Sequence, residues 1–225
     1  MATVKVVDLL AKAQTILQDA TGVRWSLLEL QGWLNDSYRE TLILRPDSNT
    51  LVGEFTCAVG PRQVLTTTFA NAERLVAVHR NTAATSRKGA VTLASKSSVD
   101  SALRSWYSQL GSADIELYMF DARTPKEFFV YPPASVAARL EVSYTQVPSP
   151  HTLTAEQLAN TSTAEVIRIA DTFANALQDY VLYRAFSKDA EATANASRAV
   201  AHYQAFQNSL GVGGQTNAAS QPGVA

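Results

Sequence analysis

Acid–base chemistry in this sequence would have to come from its carboxylates and its three histidines. Glu29, Asp36 and Glu40 recur at helical spacing, so two of them can share a face as acid and base. With no histidine or metal ligand beside them, a solvated helix face is the favoured reading. His79, His151 and His202 fall in a strand, a linker and a helix, and no spacing joins them into a shuttle or a metal cluster. Cys57 is the single cysteine, so it has no partner for an internal disulfide. It sits in a strand-like run, where a small buried hydrophobe is the simpler reading than a nucleophile. The sheet offers Glu116, Asp121, Glu127 and Glu141, and a glycan-cleaving pair would need two carboxylates across a cleft. The sequence lacks a phosphate loop, a dinucleotide-binding glycine turn, a nucleophile elbow, a His-Glu-x-x-His helix and a paired-cysteine motif. The reading is a protein that is not an enzyme and carries no cofactor or metal.

Charge points away from polyanions as bulk partners. The 225 residues carry 19 Lys and Arg against 20 Asp and Glu, a net charge of −1, which gives no global attraction to nucleic acid or an anionic membrane. One local exception runs from residue 62 to 104: Arg62, Arg74, Arg80, Arg87, Lys88, Lys96 and Arg104 stand against only Glu73 and Asp100. Within it Arg80, Arg87, Lys88 and Lys96 form a candidate partner-facing basic loop, although a solvated loop explains them as well. A second candidate surface is aromatic. Tyr180, Tyr183, Arg184, Phe186, Tyr203 and Phe206 concentrate rigid rings and one guanidinium, the residue types enriched where proteins bind proteins. Tyr180, Tyr203 and Phe206 fit helical seams equally well.

Proline and glycine divide the chain into the elements that must position these side chains. Residues 1–45 and 151–221 contain no proline, so the flanks can be helical and the middle mostly cannot. Leu9, Leu10, Ala13, Ile16 and Leu17 predict an amphipathic helix from about residue 4 to Gly22. Ser26-Leu-Leu-Glu29 predicts a capping box, with Trp25 stapled onto Leu30 and a stripe running to Leu44-Arg-Pro46. Short β-branched and aromatic runs at 51–59, 74–79, 90–94, 115–120, 127–131 and 138–147 predict an antiparallel sheet. In the last run Leu140, Val142 and Tyr144 alternate with polar residues, which predicts one apolar and one wet face. Val99, Ala102, Leu103, Trp106 and Leu110 are spaced for a covering helix that ends at Gly111. Thr154-Ala-Glu-Gln157 predicts another cap. Ser162-Thr-Ala-Glu165 then opens a long helix through Val166, Ile169, Phe173, Leu177, Val181 and Arg184, with a reversal at Ser187-Lys-Asp189 and a final helix over 190–210. The expected fold is α+β: an α-helical bundle from 1–48 and 151–210, a central antiparallel β-rich insertion at 49–150, and a flexible tail at 211–225. No apolar run reaches the ~20 residues that span a bilayer. Residues 1–8 show no basic leader with an apolar core, so the expectation is synthesis in a host cytoplasm without a secretory signal or a membrane.

Three segments, in order, carry a family resemblance. Trp33-Leu-Asn-Asp-Ser-Tyr-Arg-Glu40 runs into Leu44-Arg-Pro-Asp47. Phe128-Phe-Val-Tyr-Pro-Pro133 follows in the centre, and Leu182-Tyr-Arg-Ala-Phe-Ser-Lys-Asp-Ala190 precedes His202-Tyr-Gln-Ala-Phe206. Their co-occurrence over most of residues 5–210 resembles the head-to-tail adaptor, or connector, proteins of tailed bacteriophages. The resemblance implies a structural subunit of the virion neck, commonly twelve to a homo-oligomeric ring, that docks beneath the portal protein ring. It implies tail or nozzle proteins as further partners, with genome DNA only passing through the channel. In some such adaptors a C-terminal arm reaches into the portal; Gly211, Val212, Gly213, Gly214, Val224 and Ala225 match that docking tail by position. Two rivals are weaker. A helix-turn-helix regulator would need a basic recognition helix, whereas the second helix offers Arg39 alone against Glu29, Asp36 and Glu40. A tail-associated enzyme acting on cell-wall glycan would need the carboxylate pair described above.

Overall fold

A computed structural model describes residues 2–84, 87–189, 191 and 193–220. The fold is α+β, and the chain separates into two compact units, Met1–Asn49 with Pro148–Ala225 and Thr50–Val147.

The first unit is helical. α1 spans Val6–Leu17 and buries Val6, Leu9, Leu10 and Ala13. Its left-handed cap is Gln18 (φ 56°), four residues before the expected stop at Gly22; Gly22 (φ 65°) belongs to the following turn. The Asp19 carboxylate decides this. It accepts the amides of Val23, Arg24 and Trp25, folding the chain back before a fourth helical turn is complete. α2 spans Leu27–Leu44, and Ser26 caps it by accepting the Glu29 amide as predicted. Glu29 does not close the box, because its carboxylate pairs with Lys188 Nζ at 2.7 Å. α4 (Ala155–Ala159) carries the full capping box of Thr154 and Gln157.

The next segment overturns the helical reading. Val166 pairs antiparallel with Lys5, through Val6 N–H to Glu165 O and Ile167 N–H to Val4 O, both 2.9 Å. Val166-Ile-Arg-Ile169 is β-branched at three of four positions, which favours extended backbone, and Ile167 and Ile169 bury in alternation. α5 therefore begins only at Ala174 and runs to Lys188, with the reversal at Asp189 where expected. α6 spans Thr193–Ser220, passing the expected stop at Gly211. A glycine inside a helix costs about 1 kcal/mol relative to alanine, so Gly211, Gly213 and Gly214 weaken the helix without breaking it. Val224 and Ala225, the far end of the candidate tail, lie outside the described residues. Leu10, Leu30, Leu34, Tyr38, Leu177, Val181 and Ala185 form the centre of this unit's core. Each such leucine contributes about 1.5–3 kcal/mol by leaving water.

The second unit holds two sheets where one was expected. β1 (Thr50–Thr56), β7 (Arg139–Gln146) and β3 (Ala72–Asn81) form an antiparallel sheet in the order β1-β7-β3. β2 (Gly60–Val64), β6 (Glu127–Ala134), β5 (Leu117–Phe120) and β4 (Thr92–Leu93) form the other in the order β2-β6-β5-β4, with β4 parallel to β5. β2 falls outside the strand-like runs of the sequence and opens with Gly60 and Pro61; an edge position lets a proline sit in a strand. Both sheets contribute to one core, which includes Phe55, Leu75, Phe128, Val130, Leu140 and Val142. The second face of β7 is not wet: Ser143 and Thr145 are buried on this central strand, with Ser143 Oγ 2.6 Å from His79 Nε2. The covering helix is shorter than predicted. α3 spans Lys96–Ala102, Leu110 is 93% exposed, and only Val99 and Trp106 bury, against Met119.

Candidate functional site

The aromatic residues near the last reversal meet along the α5–α6 seam. Tyr180 packs edge-on to Phe206 at 5.2 Å between ring centroids, Tyr183 tilts against Tyr203 at 4.8 Å, and Phe186 stacks on His202 at 5.7 Å. Burial sorts them. Tyr180, Phe186 and Phe206 are interior in the chain by itself, whereas Tyr183, Arg184 and Tyr203 are half-buried at the rim. The rim is polar-tethered: the Arg184 guanidinium donates to Tyr180 Oη at 3.3 Å and lies 3.7 Å from Asp36, and Tyr203 Oη donates to Glu40 at 3.1 Å. Glu29, Asp36 and Glu40 thus each face a donor, Lys188, Arg39 with Arg184, and Tyr203 respectively. Arg45 lies farther along the bundle, over Phe173 at the start of α5. Its buried guanidinium grips Asp47 through two nitrogens (3.0 and 2.7 Å) and donates to Leu210 O at 3.2 Å, directly before the candidate tail.

Several basic side chains of the second unit are paired with acids. Arg80 forms a two-point contact with Glu141 (2.9 and 3.0 Å), and Arg62 does the same with Glu127 (3.1 and 2.6 Å). The Arg87 amide donates to Asp114 at 2.7 Å, and Lys88 adopts a left-handed backbone (φ 55°). Lys96 pairs with Asp100 at 2.8 Å and lies 5.3 Å from the Tyr107 and Phe129 ring centres. The acids that answer Arg62, Arg80 and Arg87 come from outside residues 62–104, so a local charge count in sequence could not foresee them. These ion pairs hold their carboxylates ionised: Glu127 and Glu141 sit below the ordinary carboxylate range because Arg62 and Arg80 hydrogen-bond them. Asp121 sits low because the Arg123 amide and then its side chain donate to it. A cleft of about 340 Å³ lies beside Lys96, Asp121, Glu127 and Phe129. Burial pushes the Cys57 thiol up to about 12, which leaves it unreactive.

Sequence reasoning missed a buried polar network of the helical unit. His151 is enclosed, with Nε2 2.8 Å from Tyr38 Oη and Nδ1 2.5 Å from Glu165 Oε1. Arg168 completes it, its guanidinium on Glu165 at 2.8 Å and its amide on Tyr38 Oη at 3.2 Å. Residues 38, 151 and 165 share no period, so no spacing signal existed. The arrangement resembles a relay, but Tyr38 and His151 are each at most 2% exposed and offer no substrate a path. It is built to fix the segment after Pro150 onto α2. Among the described residues no group of three or more His, Cys, Asp and Glu could hold a metal ion, and no helix is long and apolar enough to cross a membrane.

Residues 4–225 match the family described as SU10 adaptor protein. The chain belongs to the SU10 adaptor protein family. The match runs through both units, so the strand-rich part is as much the adaptor as the helices are. The family is one of phage head-to-tail adaptors, and its role is structural. No curated protein sequence matches the chain.

Proposed function

We propose that this adaptor assembles as a ring beneath the portal, joins capsid to tail in the virion neck, and leaves a channel through which the genome passes. The match over residues 4–225 carries this reading. The ring is dodecameric, as the resemblance implies, and its subunits are made in the host cytoplasm before docking. A ring needs adhesive rims more than a cleft. Tyr183, Arg184 and Tyr203, half-buried at the edge of a seam whose centre is already packed, offer rigid rings and a guanidinium to a neighbour. Near-neutral charge suits the channel, since a strongly basic lumen multiplied by symmetry would hold DNA. Residues 211–225 act as the docking tail that meets the portal, anchored at its root by Arg45 on Leu210.

The glycan-cleaving alternative is the weaker one. A general acid must stay protonated near neutral pH, and Asp121, Glu127 and Glu141 are all pushed the other way. Incubation with peptidoglycan therefore releases no soluble fragments. Co-sedimentation of the purified protein with the portal ring encoded by the same genome tests the adaptor reading, with negative-stain imaging of the pellet. Saturable binding that adds a layer is expected; two folded proteins that fail to associate overturn it. A variant lacking residues 211–225 keeps its fold and docks more weakly, and unchanged docking removes the tail from the account.

A further inference from the structure

β1 forms one edge of its sheet, and two hydrogen bonds at its end fix which way each amide points. The Cys57 N–H, just past the strand, donates to Ala138 O on the β7 side at 3.2 Å, whereas the Thr56 N–H points away and donates to Thr68 Oγ1 at 3.3 Å. Successive residues alternate, so Val52 and Glu54 turn their N–H and C=O groups outward, where they have no partner among the described residues. Both side chains are exposed, Val52 by 63%, and no described cation lies within ion-pair distance of Glu54. The opposite edge of the sheet is covered: on β3, Leu75 N–H donates to Pro125 O, Asn81 N–H donates to Gly89 O, and His79 O accepts from Val91 N–H.

Exposed edges are ordinarily blocked by proline, lysine or a bulge. Leu51-Val-Gly-Glu-Phe55 contains neither residue, and β1 pairs with β7 in unbroken register over its whole length. At Gly53 a Cβ would stand 3.1 Å from the Phe69 ring, which stacks on Tyr144 at 4.0 Å between centroids. The window is therefore free of bulges and backed by aromatic rings.

We propose that β1 receives an extended segment of another protein as an added strand, with Lys or Arg across from Glu54 and a β-branched residue across from Val52. The charge selects this occupant over a second copy. Antiparallel self-pairing about Gly53 would set Glu54 beside Val52 of the other copy and leave the carboxylate unanswered, whereas a basic strand neutralises it.

The probe is a short synthetic peptide, Thr-Lys-Thr-Val-Thr-Lys-Thr, whose lysines and valine fall two residues apart and so share one face, with glutamate in place of lysine as the control, added to the intact protein. Hydrogen exchange is read at Val52 and Glu54. The lysine peptide slows both amides by about tenfold or more, and the glutamate peptide does not. Val52→Pro removes an outward N–H without touching the ladder to β7, so it abolishes protection at Glu54 while the unfolding midpoint holds. Glu54→Lys, an exposed change, reverses the preference toward the glutamate peptide. Unchanged exchange with the lysine peptide, or a Val52→Pro variant that responds like the parent, overturns the proposal. Protection that rises with protein concentration and without peptide assigns the edge to a second copy and overturns it equally. Portal co-sedimentation involves no peptide, so the adaptor reading stands or falls separately.

Discussion

Tyr38, His151 and Glu165 satisfy one another only while His151 is neutral. Nδ1–H donates to Glu165, Nε2 accepts the Tyr38 hydroxyl, and the Tyr38 oxygen accepts the Arg168 amide. A second ring proton would set two donors face to face. Burial accordingly lowers the His151 pKa from its ordinary 6.5, with the Glu165 carboxylate partly opposing. Burial also works against the Glu165 charge, yet His151 and Arg168 together keep that carboxyl below its ordinary range. A depressed histidine value means the unfolded chain binds the extra proton first. The contribution is thus complete above about pH 6.5 and is lost as pH falls through the folded value. The urea midpoint should drop between about pH 7.5 and about pH 5.5, and His151→Gln should flatten that slope; a flat profile in the parent contradicts the assignment. Tyr38→Phe strands the Arg168 amide and His151 Nε2, and should cost about 1–3 kcal/mol in chemical denaturation. Little of this was legible, because a histidine in a linker shows its partners only after two distant segments close around it. The caps at Ser26 and Thr154 were legible because each is settled within four residues.

At the scale of elements, local signals succeeded where one segment decides its own conformation and failed where a distant one intervenes. The α5–α6 reversal was readable from Ser187-Lys-Asp189. The stretch before α5 was not, since its helical period is as good on paper as its β-branched alternation, and pairing with Lys5 settles the choice. Asp171 locks that pairing. Its carboxylate accepts the Thr3 hydroxyl at 2.7 Å and the amides of Thr3 and Val4, and the Thr3 bonds hold it well below the usual range. Asp171→Ala should release the N-terminal residues, read as lost exchange protection at Val4 and Val6 with α2 still protected; retained protection at Val6 contradicts the tether. Phe206 is fully buried against Tyr180, so Phe206→Ala should cost about 3–5 kcal/mol and loosen α6 first. A loss below about 1 kcal/mol would show that α6 is not held through this seam. The sheet strands were legible by composition, but their division into two sheets was not, because pairing order depends on contacts between residues such as 50 and 145.

For the whole molecule, much of the charge in the basic segment is paired with acids. Thr50–Val147 holds ten Lys and Arg against eight Asp and Glu, and the remainder nine against twelve. Arg62, Arg80, Lys96 and Lys126 each pair with a carboxylate of the same unit. A protein so balanced should fail to retard duplex DNA at about 0.15 M salt, and retention at low micromolar concentration contradicts a channel that merely passes the genome. The adaptor family was readable from three ordered segments, one of which contains Arg45, the buried guanidinium that holds Asp47 and donates to Leu210 O. The central claim is that this chain forms a ring layer on the portal. Native mass measurement of the portal after saturation with the protein tests it most directly. Twelve added copies, bound all together and lost all together, are predicted; single copies bound independently, or none, would contradict the account.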